Sequence, residues 1–416
     1  MVDMLKNISI ILVFKVFGAL SILMVSMIIG QYYGPEKLGI FSLIVSLLMI
    51  GSVLSKVGLD TYTLKIVSEL DGNLKEIALY IKKIIKIIFL TGLLTSMLFF
   101  ILSDFINEYV FKSFNATYYV TGLAIIAIPF AYIGVLPEIF RALGGVGKYS
   151  FFRSISQNLL VLILISAGIL TNIIVDPIYA LYSSIGITIV LILLYLYLFL
   201  KKRGINIFAS GLYKKSVLRH SYPMALTSTM MLMVAYTDSF MIGYYINEYQ
   251  VGVYSACISI ASIFLFAQTS INVYVAPKIS RCYSRGDLVG VKHLYASSTK
   301  LLIVVSLFIL LVVSVFSDLF LGLYGSKFLH AEGVLLIVST GYFINSCFGV
   351  VGYLLNMTNN QFLVMVAVGF GSVLNVYLNY MLIPDYYLYG AAIASLLTML
   401  LLNFTLFLIG KHRKLI

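Results

Sequence analysis

Charged residues divide this chain into long apolar stretches. No Asp, Glu, Lys or Arg occurs in 16–35, 38–55, 113–137, 154–175, 177–200, 249–277, 333–384 or 386–410. Crossing about 30 Å of hydrocarbon at about 1.5 Å per residue takes roughly 20 helical residues, so runs of this size predict membrane spans. The 333–384 run is long enough for two, and the polar tetrad Thr358-Asn359-Asn360-Gln361 divides it. Stretches interrupted by one or two charges add spans near 84–102, 223–246 and 298–317. The pattern predicts an all-α integral membrane protein of about twelve transmembrane helices.

Composition agrees with the pattern. Hydrophobic residues make up 61% of the 416 positions and charged residues only 11%, against about 25% charged in a soluble domain. So few charges cannot build a water-facing surface. Lys6 precedes an apolar stretch of full spanning length with no small-x-small site near its end, so a span rather than a cleaved leader is expected there. Cys257, Cys282 and Cys347 are scattered, as are the 4 histidines, and neither a disulfide framework, a metal site nor a cofactor is expected.

The net charge of +12 has an address. With the N-terminus in the cytoplasm and each span crossing once, all but Lys37, Lys112 and Lys327 of the 28 lysines and arginines fall on the cytoplasmic side or at helix ends facing it. That is the positive-inside asymmetry, and it places both termini in the cytoplasm. The partner implied by this charge is membrane lipid, not nucleic acid. The longest outside segments, 103–117 and 317–331, are too short to fold as soluble domains. Activity is therefore expected inside the membrane or at its cytoplasmic face.

An internal repeat organises the chain. IGQYYGPEKLGIFSLIVSLLMI, from Ile29, aligns without a gap on IGYYINEYQVGVYSACISIASI, from Ile242, sharing Ile29/Ile242, Gly30/Gly243, Tyr32/Tyr245, Gly39/Gly252, Ser42/Ser255, Ser46/Ser259 and Ile50/Ile263 at an offset of 213 residues. Six helices separate the copies, so the halves share one orientation. The expected organisation is a six-helix bundle over 1–200, a basic cytoplasmic linker over 201–222 and a second six-helix bundle over 223–416. Repeats of this kind are common in transporters working by alternating access. Both the linker and segment 74–86, LKEIALYIKKIIK, have the basic amphipathic character of stretches that lie along an anionic leaflet.

Four stretches carry a family resemblance: 32–48 with 55–69 (YYGPEKLGIFSLIVSLL and SKVGLDTYTLKIVSE), 221–262, the cytoplasmic APKISRCYSRGD of 276–287, and 355–395. In them the chain resembles the polysaccharide-repeat-unit flippases, the O-antigen (Wzx-type) branch of the multidrug/oligosaccharidyl-lipid/polysaccharide (MOP) exporter superfamily. The resemblance implies two pseudo-symmetric six-helix bundles, a central cavity of cationic character and an undecaprenyl-diphosphate-linked oligosaccharide as cargo. It also implies a polysaccharide polymerase and a chain-length regulator as partners.

A diphosphate bearing a polar glycan cannot cross hydrocarbon bare, so cations and hydrogen-bonding groups in a wet cavity are expected. Lys15, about seven residues into the first span, either snorkels to the interface or meets the diphosphate. Arg141 follows Glu138 at i, i+3, so a local ion pair competes with a cargo contact. Lys56 and Asp60, at i, i+4, read as a simple pair. Lys65 matches a basic position common in the resembled family and serves equally as a topology determinant. Asp238 lies deep in the seventh span, where a short carboxylate cannot snorkel, and with Glu138 it is the candidate for ion coupling. Asn375 and Asn379 share a helix face and read best as helix-packing groups.

Two other functions share parts of this pattern. A multidrug or cation antiporter of the same superfamily would favour several cavity acids, and only Glu138 and Asp238 lie clearly within spans. A membrane glycan polymerase or glycosyltransferase would need a large outside loop or an acidic nucleotide-sugar site, and the chain shows neither, so no enzymatic activity is expected.

Overall fold

The computed structural model describes residues 2–70, 72–111, 116–207, 210–213 and 216–416, and among them every regular element is helical. Of the orienting cations, Lys112, Lys214, Lys215 and the side chains of Lys6 and Arg219 lie outside the described residues. The helices are α1 (Val2–Lys56), α2 (Leu59–Glu69), α3 (Leu74–Ile101), α4 (Ser103–Tyr109), α5 (Thr117–Ala142), α6 (Val146–Ser150), α7 (Ser156–Leu170) and α8 (Pro177–Lys202). They continue with α9 (Leu218–Tyr245), α10 (Glu248–Ala261), α11 (Ile263–Ser284), α12 (Leu288–Val315), α13 (Ser317–Gly322), α14 (Glu332–Cys347), α15 (Val351–Met357) and α16 (Gln361–His412).

The two longest helices each hold two spans. In α1 the break is Gly34, at φ 83, followed by Pro35, which removes a backbone donor from the next turn. In α16 it is Tyr387, at φ 53, three residues after Pro384. The 333–384 run divides at the polar tetrad, since α15 ends at Met357 and α16 begins at Gln361. Counting α6–α7, α10–α11 and α14–α15 each as one interrupted span, the described residues make the twelve crossings read from the charge pattern. The chain is a multi-pass, all-α membrane protein.

Spans extend beyond their uncharged cores. Helix α12 starts at Leu288, capped by Asp287 accepting from the Gly290 N–H at 2.8 Å, and carries Lys292 and Lys300 in its opening turns. Segment 74–86 is not a separate interfacial piece: it is the first half of α3, with Ile77, Tyr80, Ile81 and Ile84 buried. Its apolar side packs inward instead of lying on lipid.

The chain separates into two compact units, one of Met1–Val25 with Leu43–Leu232 and one of Ser26–Ser42 with Met233–Ile416. In the first, α5 packs against α2, α3 and α8, burying Val135, Leu136, Ile139 and Phe140 completely. The segment after α8 docks on α3. Tyr213 is buried, its ring meeting Tyr80 edge-on at 5.3 Å, and the Lys83 ammonium donates to the Tyr213 carbonyl at 2.9 Å.

The second unit brings the repeated motifs together. A Cβ on Gly39 would lie 1.8 Å from the Glu248 carbonyl oxygen, and one on Gly252 would lie 1.8 Å from the Pro35 carbonyl oxygen. Glu248 and Gly252 are the repeat equivalents of Pro35 and Gly39, so the contact is reciprocal, as a local two-fold requires. Backbones approach this closely only where no side chain intervenes. In the same unit α14 and α16 pack closely, and a core of Ile279, Leu302, Leu354 and Leu355 joins α11, α12 and α15.

Candidate functional site

Two groups of polar residues lie within the spans, one in each unit, each around a buried carboxylate. The first is built around α5. Gly134 and Glu138 occupy one face of that helix at i, i+4, and the Lys56 side chain lies across Gly134, its Nζ 3.1 Å from where a Cβ would stand. Any larger residue at 134 would evict the lysine. At the end of α1, Val57 (φ 46) and Gly58 (φ 73) turn the chain sharply into α2, which returns Asp60 to within 3.8 Å of Lys56. Both Lys56 and Glu138 are buried, with side chains 9% exposed.

Arg141 reaches Glu138 Oε2 at 3.5 Å while its side chain stays 42% exposed, and its guanidinium lies 5.0 Å from the Tyr149 ring centre. Arg153 joins the field of Lys56 and Glu138 from a π-helical turn, Phe151–Ile155. Such turns widen a helix by one residue and recur at functional sites. Lys15 belongs to the same group. A Cβ on Gly18 would stand 2.3 Å from the Ser154 carbonyl oxygen, so α1 crosses the π turn backbone-to-backbone, and Lys15, one turn earlier, enters the field of Arg141. Four cations (Lys15, Lys56, Arg141 and Arg153) thus face two carboxylates (Asp60 and Glu138). That surplus suits an anion of two charges, which would displace Glu138 from a long, single-contact pair without leaving it uncompensated.

Lys65 stands apart. It sits on α2 with 60% of its side chain exposed and pairs with Glu69 at 3.9 Å. An exposed i, i+4 pair of this kind contributes about 0.3–0.5 kcal/mol.

The second group surrounds Asp238 on α9, which is 6% exposed. Its Oδ1 accepts from the Asn379 amide at 2.8 Å and the Asn375 amide at 3.2 Å, and its Oδ2 accepts from the Tyr254 hydroxyl at 2.7 Å and from the Ser395 hydroxyl. These donors come from α10 and from both limbs of α16. No Lys, Arg or His among the described residues pairs with Asp238. Both oxygens of the carboxylate are thus held by neutral donors from three helical segments. The Asn375 and Asn379 Oδ1 atoms beside it are buried without partners among the described residues.

Sequence reading singled out Lys15, Arg141, Glu138 and Asp238, and these residues do enter the two groups. It left Lys56 with Asp60 as an isolated pair, treated Arg153 as one orienting cation among many, and assigned Asn375 and Asn379 to packing. It had no reason to select Tyr149, Tyr254 or Ser395. The i, i+4 spacing of Asn375 and Asn379 was the one signal that could have pointed to Asp238.

The profile of the family described as polysaccharide biosynthesis protein matches residues 4–282, and that of MatE matches residues 223–381. No curated protein matches in sequence. Among solved structures, an inward-facing multidrug resistance MATE family transporter of the MOP superfamily superposes with a TM-score of 0.79 at 16% identity, over 95% of this chain and 94% of its own. The lipid II flippase MurJ, in an inward closed conformation, gives 0.74 at 15% identity over 97% and 88%. A MOP superfamily transporter from Pyrococcus furiosus, described as having a binding pocket of reverse polarity, gives 0.62 at 14% identity over 98% and 95%. At these identities the likeness is one of fold.

Proposed function

The chain belongs to the polysaccharide biosynthesis protein family of the MOP exporter superfamily, and from that premise we propose that it flips undecaprenyl-diphosphate-linked oligosaccharide repeat units, of O-antigen or a related surface polysaccharide, from the cytoplasmic to the periplasmic leaflet by alternating access. The solved structures whose fold it shares are described as transporters and a flippase, which supports reading it as a transporter. In this reading it lies in a bacterial inner membrane with both termini cytoplasmic, and it hands its cargo to a polysaccharide polymerase and chain-length regulator.

The observation that carries the reading is the cation surplus around α5, in which Lys15, Arg141 and Arg153 are exposed and Lys56 is buried. A diphosphate diester carries two charges and oxygen acceptors that suit an arginine fork and a lysine. Asp238 serves as the ion-coupling group, its protonation differing between inward- and outward-open states, with Glu138 the second candidate. The cation-antiporter alternative is less well supported, since cations outnumber carboxylates around α5 and Glu138 is paired with Arg141.

Reversing Lys15 and Arg141 to Glu together tests the reading. Surface polysaccharide should be lost while the protein still reaches the membrane, and Lys15→Arg should be tolerated better than Lys15→Ala. Normal polysaccharide in the double reversal would overturn the assignment.

A further inference from the structure

Helix α8 ends in Lys201 and Lys202, followed by Arg203, and the outward side of its last turns is apolar: Leu194, Tyr197 and Leu198 are each about half exposed. One aromatic ring organises the cations there. Phe199 has the Lys148 ammonium 4.5 Å from its centre and the Arg203 guanidinium 4.7 Å from it. The ring is fixed in turn, because Phe140 meets it edge-on at 5.2 Å and Gly145 packs so close that a Cβ would lie 3.1 Å from the ring. Two like charges on one ring repel each other, and neither pairs with a carboxylate among the described residues. Beside them opens a pocket of about 290 Å³ lined by Tyr197, Lys201, Gly204, Ile205, Asn206 and Ile207.

From this geometry we propose that the end of α8 is a binding site for an anionic phospholipid. The headgroup phosphate sits between Lys148 and Arg203, the glycerol backbone lies in the adjoining pocket, and an acyl chain follows the apolar side of α8. Basic pockets between transmembrane helices suit anionic headgroups in this way. Charge complementarity selects against zwitterionic lipids, whose ammonium would meet Lys148 and Arg203, neither of which pairs with a carboxylate among the described residues. The site involves none of the charged residues grouped around α5, so it stands independently of the transport reading. Its consequence is structural: the lipid ties α6 and the end of α8 to the leaflet at the point where the linker begins.

The test is native mass spectrometry of the purified full chain titrated with phosphatidylglycerol or phosphatidylcholine, with inorganic phosphate as competitor. Phosphatidylglycerol should bind at least tenfold more tightly than phosphatidylcholine, and inorganic phosphate should not displace it. Lys148→Gln with Arg203→Gln should weaken phosphatidylglycerol binding by roughly twenty-fivefold, since each interfacial cation contributes about fivefold. Lys148→Arg with Arg203→Lys, which keeps both charges, should bind within about threefold of the parent, at the scale of a retained surface charge. The proposal fails if the glutamine pair binds phosphatidylglycerol as the parent does, if both lipids bind equally, or if inorganic phosphate displaces the lipid.

Discussion

At the scale of single residues, the chemistry of this protein depends on how buried charges are held. Asp238 has four neutral donors around it, which offset much of the cost of a carboxylate in an apolar interior. Asp238→Asn exchanges one acceptor for a donor. The Tyr254 and Ser395 hydroxyls can rotate to accept, so the variant should fold and cost about 1–3 kcal/mol. It should retain cargo binding but slow turnover and remove dependence on a proton gradient in reconstituted vesicles. Normal, gradient-dependent transport by that variant would make Asp238 structural, whereas transport that follows a sodium gradient in the parent would assign its oxygens to a cation. Asp238→Leu removes the acceptor that four buried donors share and should remove the protein from the membrane, as measured by immunoblotting of membrane fractions.

At the scale of elements, two glycines of the first repeat motif make opposite demands. Gly252 and its repeat partner Gly39 have no room, whereas Gly34 has a left-handed backbone and nothing within 4 Å of a Cβ. Gly34→Ala should cost about 1–2 kcal/mol of backbone strain and leave packing intact. Gly252→Ala must separate two helices and should lower the unfolding temperature in detergent by much more. Equal shifts would mean the helices slide apart freely. The linker is a third case. Tyr213 is its anchor on α3, and Tyr213→Ala should expose residues 203–217 to trypsin well before the spans are cut, because exposed loop backbone is cleaved first once its packing is lost.

For the whole molecule, the decisive measurement is topology. Reporter fusions near Gly211, Arg285 and the C-terminus should read as cytoplasmic, and fusions near Asn247 and Tyr324 as periplasmic. A periplasmic reading at Gly211 would invert the second half and end the parallel-repeat account. The reciprocal Gly39 and Gly252 contact makes a related demand: a large residue at either position should disturb the unit formed by Ser26–Ser42 with Met233–Ile416, even though position 39 belongs to the first half of the sequence.

The linear order of residues determined the solvent, the spans and the repeat, and for one reason. Charges are expensive in hydrocarbon, so their spacing marks where helices enter and leave, and this holds without any knowledge of neighbours. It also singled out Asp238, since an isolated acid deep in a span conflicts with its surroundings whatever they are. What surrounds Asp238 was decided by tertiary structure. Its donors lie 16, 137, 141 and 157 positions away, and no local periodicity relates such residues. Arg153 enters the field of Glu138 from a π turn that the sequence does not announce, and Lys56 lies over Gly134 because the end of α1 packs on α5 there. Hydrophobic spacing records the boundary between helix and lipid, whereas the contacts between helices are made by residues that look alike along the chain and differ only in where packing brings them.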